Sequence, residues 1–159
     1  MSLDFKKLMY ARFLFTFAVQ MQSVIVGWRI YDLLKDPLAL GLIGLVEAVP
    51  AIGLAIYAGY IVDKSRPLVV YQRVALVSFA SALLVLMEPL FAQNMNLFSQ
   101  SILLYSASFL TGVARAFSGP AVFASVPRLV ERDKLLSSSA IMTSYLQVAR
   151  VIGPAPDGI

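Results

Sequence analysis

The sequence predicts an all-α fold, a polytopic transmembrane helix bundle, on three observations. Of its 159 residues, 59% are hydrophobic and only 14% are charged, against roughly 25% charged in an ordinary soluble domain. The mean hydropathy is +0.79. The apolar residues also fall into runs long enough to cross a ~30 Å hydrocarbon core at 1.5 Å per residue.

The first run covers residues 8–33, with Gln20 and Gln22 in its middle and Trp28, Arg29 and Tyr31 near its end. Lys6 and Lys7 ahead of it resemble the start of a signal peptide. The run is too long for one, however, and no small-residue cleavage site follows, so it is expected to remain as the first span. Asp36-Pro37 then makes a polar turn, with Pro37 suited to the first turn of the next helix because its missing donor is not needed there.

The second run, 38–62, is rich in glycine (Gly41, Gly44, Gly53, Gly59), which predicts close packing inside a bundle. It also carries Glu47, read here as the one acid inside an apolar run, and Pro50, expected to kink the helix. The third run, 68–90, has few polar residues beyond Gln72, Arg73 and Ser78, which predicts a largely lipid-facing helix. The fourth, 97–126, holds Thr111, Gly112, Arg115, Ser118 and Gly119, so its second half should be buried in protein or beside water. A fifth, weaker run at 135–159 follows a mixed-charge connector. Four full spans and a partial fifth are thus expected, in one N-terminal transmembrane domain fragment over 1–159.

Between the second and third runs lies Gly59-Tyr60-Ile61-Val62-Asp63-Lys64-Ser65-Arg66-Pro67. Gly59 would let a neighbouring helix approach, and Asp63 or Ser65 would cap the next helix, with Pro67 in its first turn. Lys64 and Arg66 add positive charge. Counting such residues orients the chain: Lys6, Lys7, Arg12, Lys64, Arg66, Arg73, Arg128, Arg132 and Lys134 cluster on one side, whereas Lys35 stands alone on the other. The positive-inside rule places the N-terminus in the cytoplasm of a cell with this protein in its inner (plasma) membrane.

Composition also excludes function classes. With no Cys and no His, disulfides, thiolate metal sites and His-based catalysis or proton relay are ruled out, leaving Asp and Glu for any proton chemistry. No metal site, cofactor or catalytic residue is expected, and the composition argues against a soluble enzyme. The net charge of +4 does not indicate a nucleic-acid partner, since the basic residues lie in separated clusters rather than one patch with interleaved aromatics. The lipid bilayer is the expected partner.

Three motifs carry a family resemblance. Gly59-x-x-x-Asp63-Lys64-x-Arg66, between a second and a third span, resembles the signature loop of the major facilitator superfamily. Arg115-Ala116-Phe117-Ser118-Gly119 resembles its R-x-x-x-G signature in the fourth span. Gly153-Pro154-Ala155-Pro156-Asp157-Gly158 is similar to the G-P-x-x-G-G signature of its drug and proton antiporters. Trp28-x-x-Tyr31-Asp32 and Asp36-Pro37-Leu38-Ala39-Leu40-Gly41 resemble the branch of macrolide-efflux and enterobactin-exporter proteins. Two features depart from these patterns. Arg66-Pro67 replaces the usual Gly-Arg pair of the loop, and Asp157 stands where the first glycine of the antiporter pair belongs.

The resemblance implies the N-terminal part of a twelve-span fold, and proton-coupled export of a small molecule of drug or siderophore type by alternating access. It implies a gating loop of Gly59, Asp63, Lys64 and Arg66, a helix-five pivot at Gly153 and Pro154, and proton coupling through Arg115. The remaining helices, or another chain, would supply the other half. Pro156 and Asp157 suggest an interrupted span near the end, so an inactive truncated remnant and a membrane scaffold or subunit needing a second chain stay open.

The residues leave alternatives of their own. A lone Arg115 in a span costs on the order of 2.5 kcal/mol or more near the centre, so it needs a partner or water, unless it snorkels to the cytoplasmic end. Glu47 suits a proton carrier and equally a structural partner for an arginine. Gln20, Gln22, Trp28, Arg29 and Arg150 form a candidate substrate path, with ordinary polar packing as the other reading.

Overall fold

The computed structural model describes residues 3–129 and, separately, Gln147, with side chains over 7–125. The fifth run, with Arg150, Gly153 and Pro154, lies outside the described residues. Within them the chain is a helical bundle without strands: α1 (Leu3–Leu34), α2 (Pro37–Gly53), α3 (Ala55–Lys64), α4 (Pro67–Phe91) and α5 (Leu97–Leu129), with a 3-10 turn over Ala92–Asn94. By length and hydropathy α1, α4 and α5 can each cross a membrane, and α2 with α3 makes a fourth, bent span.

Local chemistry sets the boundaries. Asp36 caps α2 by accepting from the Leu38 N–H at 2.9 Å, and Pro37 follows in the first turn, as its fixed φ favours. Before it, Lys35 takes a positive φ of 52° and reverses the chain. Asn96 accepts from the Ser99 N–H at 2.9 Å at the start of α5.

Three local expectations are corrected. Residues 38–62 form two helices bent by 44°, and the bend falls at Gly53-Leu54, one turn beyond Pro50, where glycine lacks a Cβ to resist it. Neither Asp63 nor Ser65 caps α4: Asp63 is in the last turn of α3, and Arg66 occupies the cap position without a side-chain hydrogen bond. Among the described residues the glycines of the second run are not packing points either: no atom of a neighbouring element lies within 4 Å of where a Cβ would stand at Gly41, Gly44, Gly53 or Gly59. Instead α2 buries Ala39, Ile43 and Pro50.

The close approach comes from α5, the helix on which the other four pack. A Cβ on Gly112 would stand 2.6 Å from Pro50 Cγ and nearer still to the Glu47 carbonyl oxygen. Only a glycine lets α2 lie there. Small residues extend this surface, with Ala107, Ser108, Thr111, Ala114, Ala121 and Ser125 all buried. Their hydroxyls satisfy themselves within the helix, Ser108 donating to Leu104 O and Ser125 to Ala121 O, which keeps polar groups bonded where no water can reach them.

Two apolar clusters result. One gathers Leu8, Val62, Val70, Val74, Ala114 and Val122, and the other Val26, Ile30, Ala39, Ile43 and Leu104. A polar layer joins α1, α4 and α5. Gln22 Nε2 donates to Ser81 Oγ at 2.6 Å and Thr111 Oγ1 at 3.2 Å, and both hydroxyls donate to Ala107 O, at 2.7 Å and 3.0 Å.

Candidate functional site

The residues that chemistry could use lie on the faces of α1 and α5 and on the adjoining edge of α2. Arg115 Nη1 approaches Glu47 Oε1 to 2.8 Å as an ion pair. Its Nη2 donates to Gln20 Oε1 at 2.8 Å and reaches Ser23 Oγ at 3.5 Å. One guanidinium therefore holds a carboxylate of α2 and two uncharged acceptors of α1. Glu47 sits one turn before Pro50, with its backbone pressed on Gly112. The pair is sited beside the close contact of α2 with Gly112.

Burial is uneven across the pair. The Glu47 side chain is 12% exposed and that of Arg115 is 39% exposed. Beside Arg115 a cleft of about 440 Å³ opens between α1 and α5, bordered by Arg12, Thr16, Gln20, Ser118 and Gly119. Arg12 Nη1 donates to Ser118 O at 2.8 Å across its far end. Gly119 leaves open space in this wall.

A second charged pair escaped the sequence reading. Glu88 on α4 is fully buried and receives two hydrogen bonds from Arg29, Nε to Oε2 at 2.7 Å and Nη2 to Oε1 at 3.0 Å. Asp32 Oδ2 lies 3.6 Å from Arg29 Nη1 and pairs with Lys35 at 2.6 Å. One expectation is corrected by this: Glu47 is not the one acid inside an apolar run. The outward-facing reading of α4 stands, since most of its residues are exposed, with Ser81 and Glu88 buried on the face it turns to α1 and α5. Glu88-Pro89 at the close of a run looks like the start of a turn, and its partner lies 59 positions away. The usable signal was the arginine: an Arg29 inside an apolar run calls for a partner such as a carboxylate.

The other expected residues divide by place. Gln20 borders the cleft, whereas Gln22 is committed to the internal layer and Arg29 to Glu88. Trp28 is 76% exposed on the bundle surface. In the loop, Asp63, Lys64 and Arg66 are exposed. Lys64 Nζ bonds Tyr60 Oη at 2.6 Å and lies 4.6 Å from the centre of its ring, a pairing one turn apart in α3.

The described residues thus form a membrane-type helix bundle with a bent second span and an Arg–Glu pair between α2 and α5. The sequence model of the family described as transmembrane secretion effector matches residues 3–159. The chain belongs to that family. As a transmembrane secretion effector it is a multi-pass membrane protein of the major facilitator transporter type, which points to transport rather than enzymatic catalysis. No curated protein and no solved structure matches it.

Proposed function

We propose that this transmembrane secretion effector chain forms the N-terminal part of a proton-coupled exporter of small molecules of drug or siderophore type. One observation carries the reading. Arg115 lies exposed, beside a cleft that half-buried Gln20 also borders, on a helix bundle that spans a membrane. Guanidinium and amide groups are too costly to leave against hydrocarbon, so this face belongs to a water-filled path or to further helices. The remaining helices of the transporter, or another chain, would close it, placing a substrate path along α1 and α5.

In this reading Glu47 is the proton-binding group. Ionised, it holds Arg115 to α2. Once neutral it loses the charge attraction, and Arg115 keeps its two acceptors on α1. The macrolide-efflux and enterobactin-exporter branch, an inner-membrane location with a cytoplasmic N-terminus, and a gate at the Asp63 loop are parts of the same proposal. Its support is the motif resemblance together with the Arg115–Glu47 geometry.

The test is pH-driven export by the complete transporter carrying Glu47→Gln. Glutamine keeps the shape and an acceptor oxygen but cannot ionise. Substrate binding should persist while export no longer responds to an imposed pH gradient. Export that still follows the gradient would remove Glu47 from the coupling path.

A further inference from the structure

Away from the Arg115 cleft, a groove of about 450 Å³ runs between α3, α4 and α5 at the loop end of the bundle. One face of α4 forms its length through Arg66, Val69, Val70, Arg73, Val74 and Val77, residues spaced i, i+3, i+4, i+7, i+8 and i+11 as one side of a helix requires. That stretch is about 16 Å long at 1.5 Å per residue. Ile61 of α3 and Phe117 of α5 stand on the other walls. Below the arginines every lining side chain among the described residues is apolar.

Among the described residues the mouth is cationic, no acid lines the groove, and neither Arg66 nor Arg73 makes an ion pair or a side-chain hydrogen bond. Asp63, the nearest acid in the chain, is exposed in the last turn of α3 and does not border the groove. Lys64 is turned to Tyr60. The first turn of α4 opens at the same place with Arg66 at its cap, no side-chain cap and Pro67 following. Pro67 has no N–H, and the Val69 and Val70 N–H groups bond to Arg66 O at 3.0 Å and 3.2 Å, so this helix start favours an anion chiefly by its dipole.

We infer that this groove binds one anionic phospholipid, its phosphate between Arg66, Arg73 and the start of α4, and an acyl chain along the valine floor. The order of chemistry, cations at a helix end followed by an apolar trough, repeats the order of a phospholipid from headgroup to chain. A free phosphate would leave the trough empty, and a zwitterionic lipid would leave the arginines less well matched. Arg73, two turns into the helix, reaches the headgroup level by extending its side chain along the trough. Basic pockets between membrane helices bind anionic headgroups on these terms.

The experiment is native mass spectrometry of the purified chain, titrated in micelles with phosphatidylglycerol or with phosphatidylcholine. One phosphatidylglycerol per chain should bind at an about 30-fold lower concentration than phosphatidylcholine, the effect of two basic residues beside an anionic headgroup. Arg66→Gln with Arg73→Gln should erase the preference, and the paired lysine replacements should retain most of it. Lys35→Gln, outside the groove, should leave it intact, and Val69→Trp, which fills the trough, should weaken both lipids. Helical circular dichroism confirms that each variant is folded. Equal binding of the two lipids by the native chain would overturn the assignment, as would a preference surviving both glutamines. So would displacement of the lipid by millimolar inorganic phosphate, which marks a free-anion site. Disulfide-linked pairs formed through Val69→Cys in this cysteine-free chain would instead place a second copy in the groove, and would equally overturn it.

Discussion

The Arg29–Glu88 pair should respond asymmetrically to the loss of either partner. Glu88 has 1% of its side chain exposed, whereas Arg29 has 32% exposed and a second carboxylate, Asp32, 3.6 Å away. Arg29→Met strands an ionised or newly protonated carboxyl in the bundle, a loss of about 3–5 kcal/mol for breaking a buried pair. Glu88→Leu strands nothing comparable, because Arg29 can turn to Asp32 and water. The loss should then be nearer about 1.5–2 kcal/mol, the low end of the scale of a hydrogen bond to a charged group. Replacing both should bring stability back to within about 1 kcal/mol of the native chain, since well-packed apolar residues often substitute for a buried ion pair without loss. The reference state in a membrane still offers polar partners, so the values should fall toward the low ends of these ranges. Unfolding in bicelles, followed by helical circular dichroism for the native chain, both single variants and the double variant, measures all four corners. Equal losses from the two single variants, or a double variant no better than Arg29→Met, would refute the account.

Gly112→Ala should destabilise the bundle by about 1–2 kcal/mol, overpacking of about 1–3 kcal/mol being partly offset by the better helix propensity of alanine. Gly119→Ala, whose Cβ would enter open space, should be neutral or mildly stabilising, so the same unfolding assay on both separates steric contact from propensity. Ser81→Ala removes a donor to Ala107 O and an acceptor for Gln22, and should lose about 1–2 kcal/mol in that assay. In this cysteine-free chain, Gln20→Cys should react with a water-soluble maleimide in intact membranes while Ile56→Cys, 89% exposed on the outer face of α3, should not; equal labelling would remove the basis for a water-filled path. Asp63→Asn should slow turnover of the complete transporter without abolishing substrate binding, and unaltered turnover would count against a gate at that loop.

What could be read from the sequence was mainly what is local. The all-α membrane class follows from composition over a window, and Asp36-Pro37 marks a helix start because the cap and the proline act within a single turn. Faces were harder to assign. In a soluble helix one apolar stripe reveals the buried side, but membrane helices are apolar toward lipid and toward each other. The sequence therefore offered no reason to prefer Gly112 over Gly41, Gly44 or Gly59 as the packing glycine, and the richer cluster on the second run drew the wrong inference. Partners across the bundle were invisible for a related reason. Gln22 and Ser81, like Arg29 and Glu88, are 59 positions apart, and only the parallel course of α1 and α4 aligns them. Arg115 and Glu47 were each legible as residues in need of a partner, yet their meeting depended on the approach that Gly112 permits.

The polar contacts also divide by the helices they join, and that division bears on how the bundle could move. Two hydrogen-bonded groups tie α1 to α4 at the same sequence offset, Gln22 to Ser81 and Arg29 to Glu88, so those helices are held in register at two depths. Between α2 and α5 the charged tie is Glu47 to Arg115, accompanied by a long hydrogen bond of 3.4 Å from Tyr105 Oη to Ala39 O and by the steric contact at Gly112. A proton on Glu47 would weaken this tie without touching the α1–α4 pairs. Arg115 need not be stranded when that happens, because Gln20 and Ser23 on α1 already lie at hydrogen-bonding distance. The helix released is the one that bends by 44° one turn beyond Pro50. Under the proposed proton role, then, α1 and α4 serve as the fixed frame, and α2 is the element whose packing on α5 depends on the charge of a single carboxyl group.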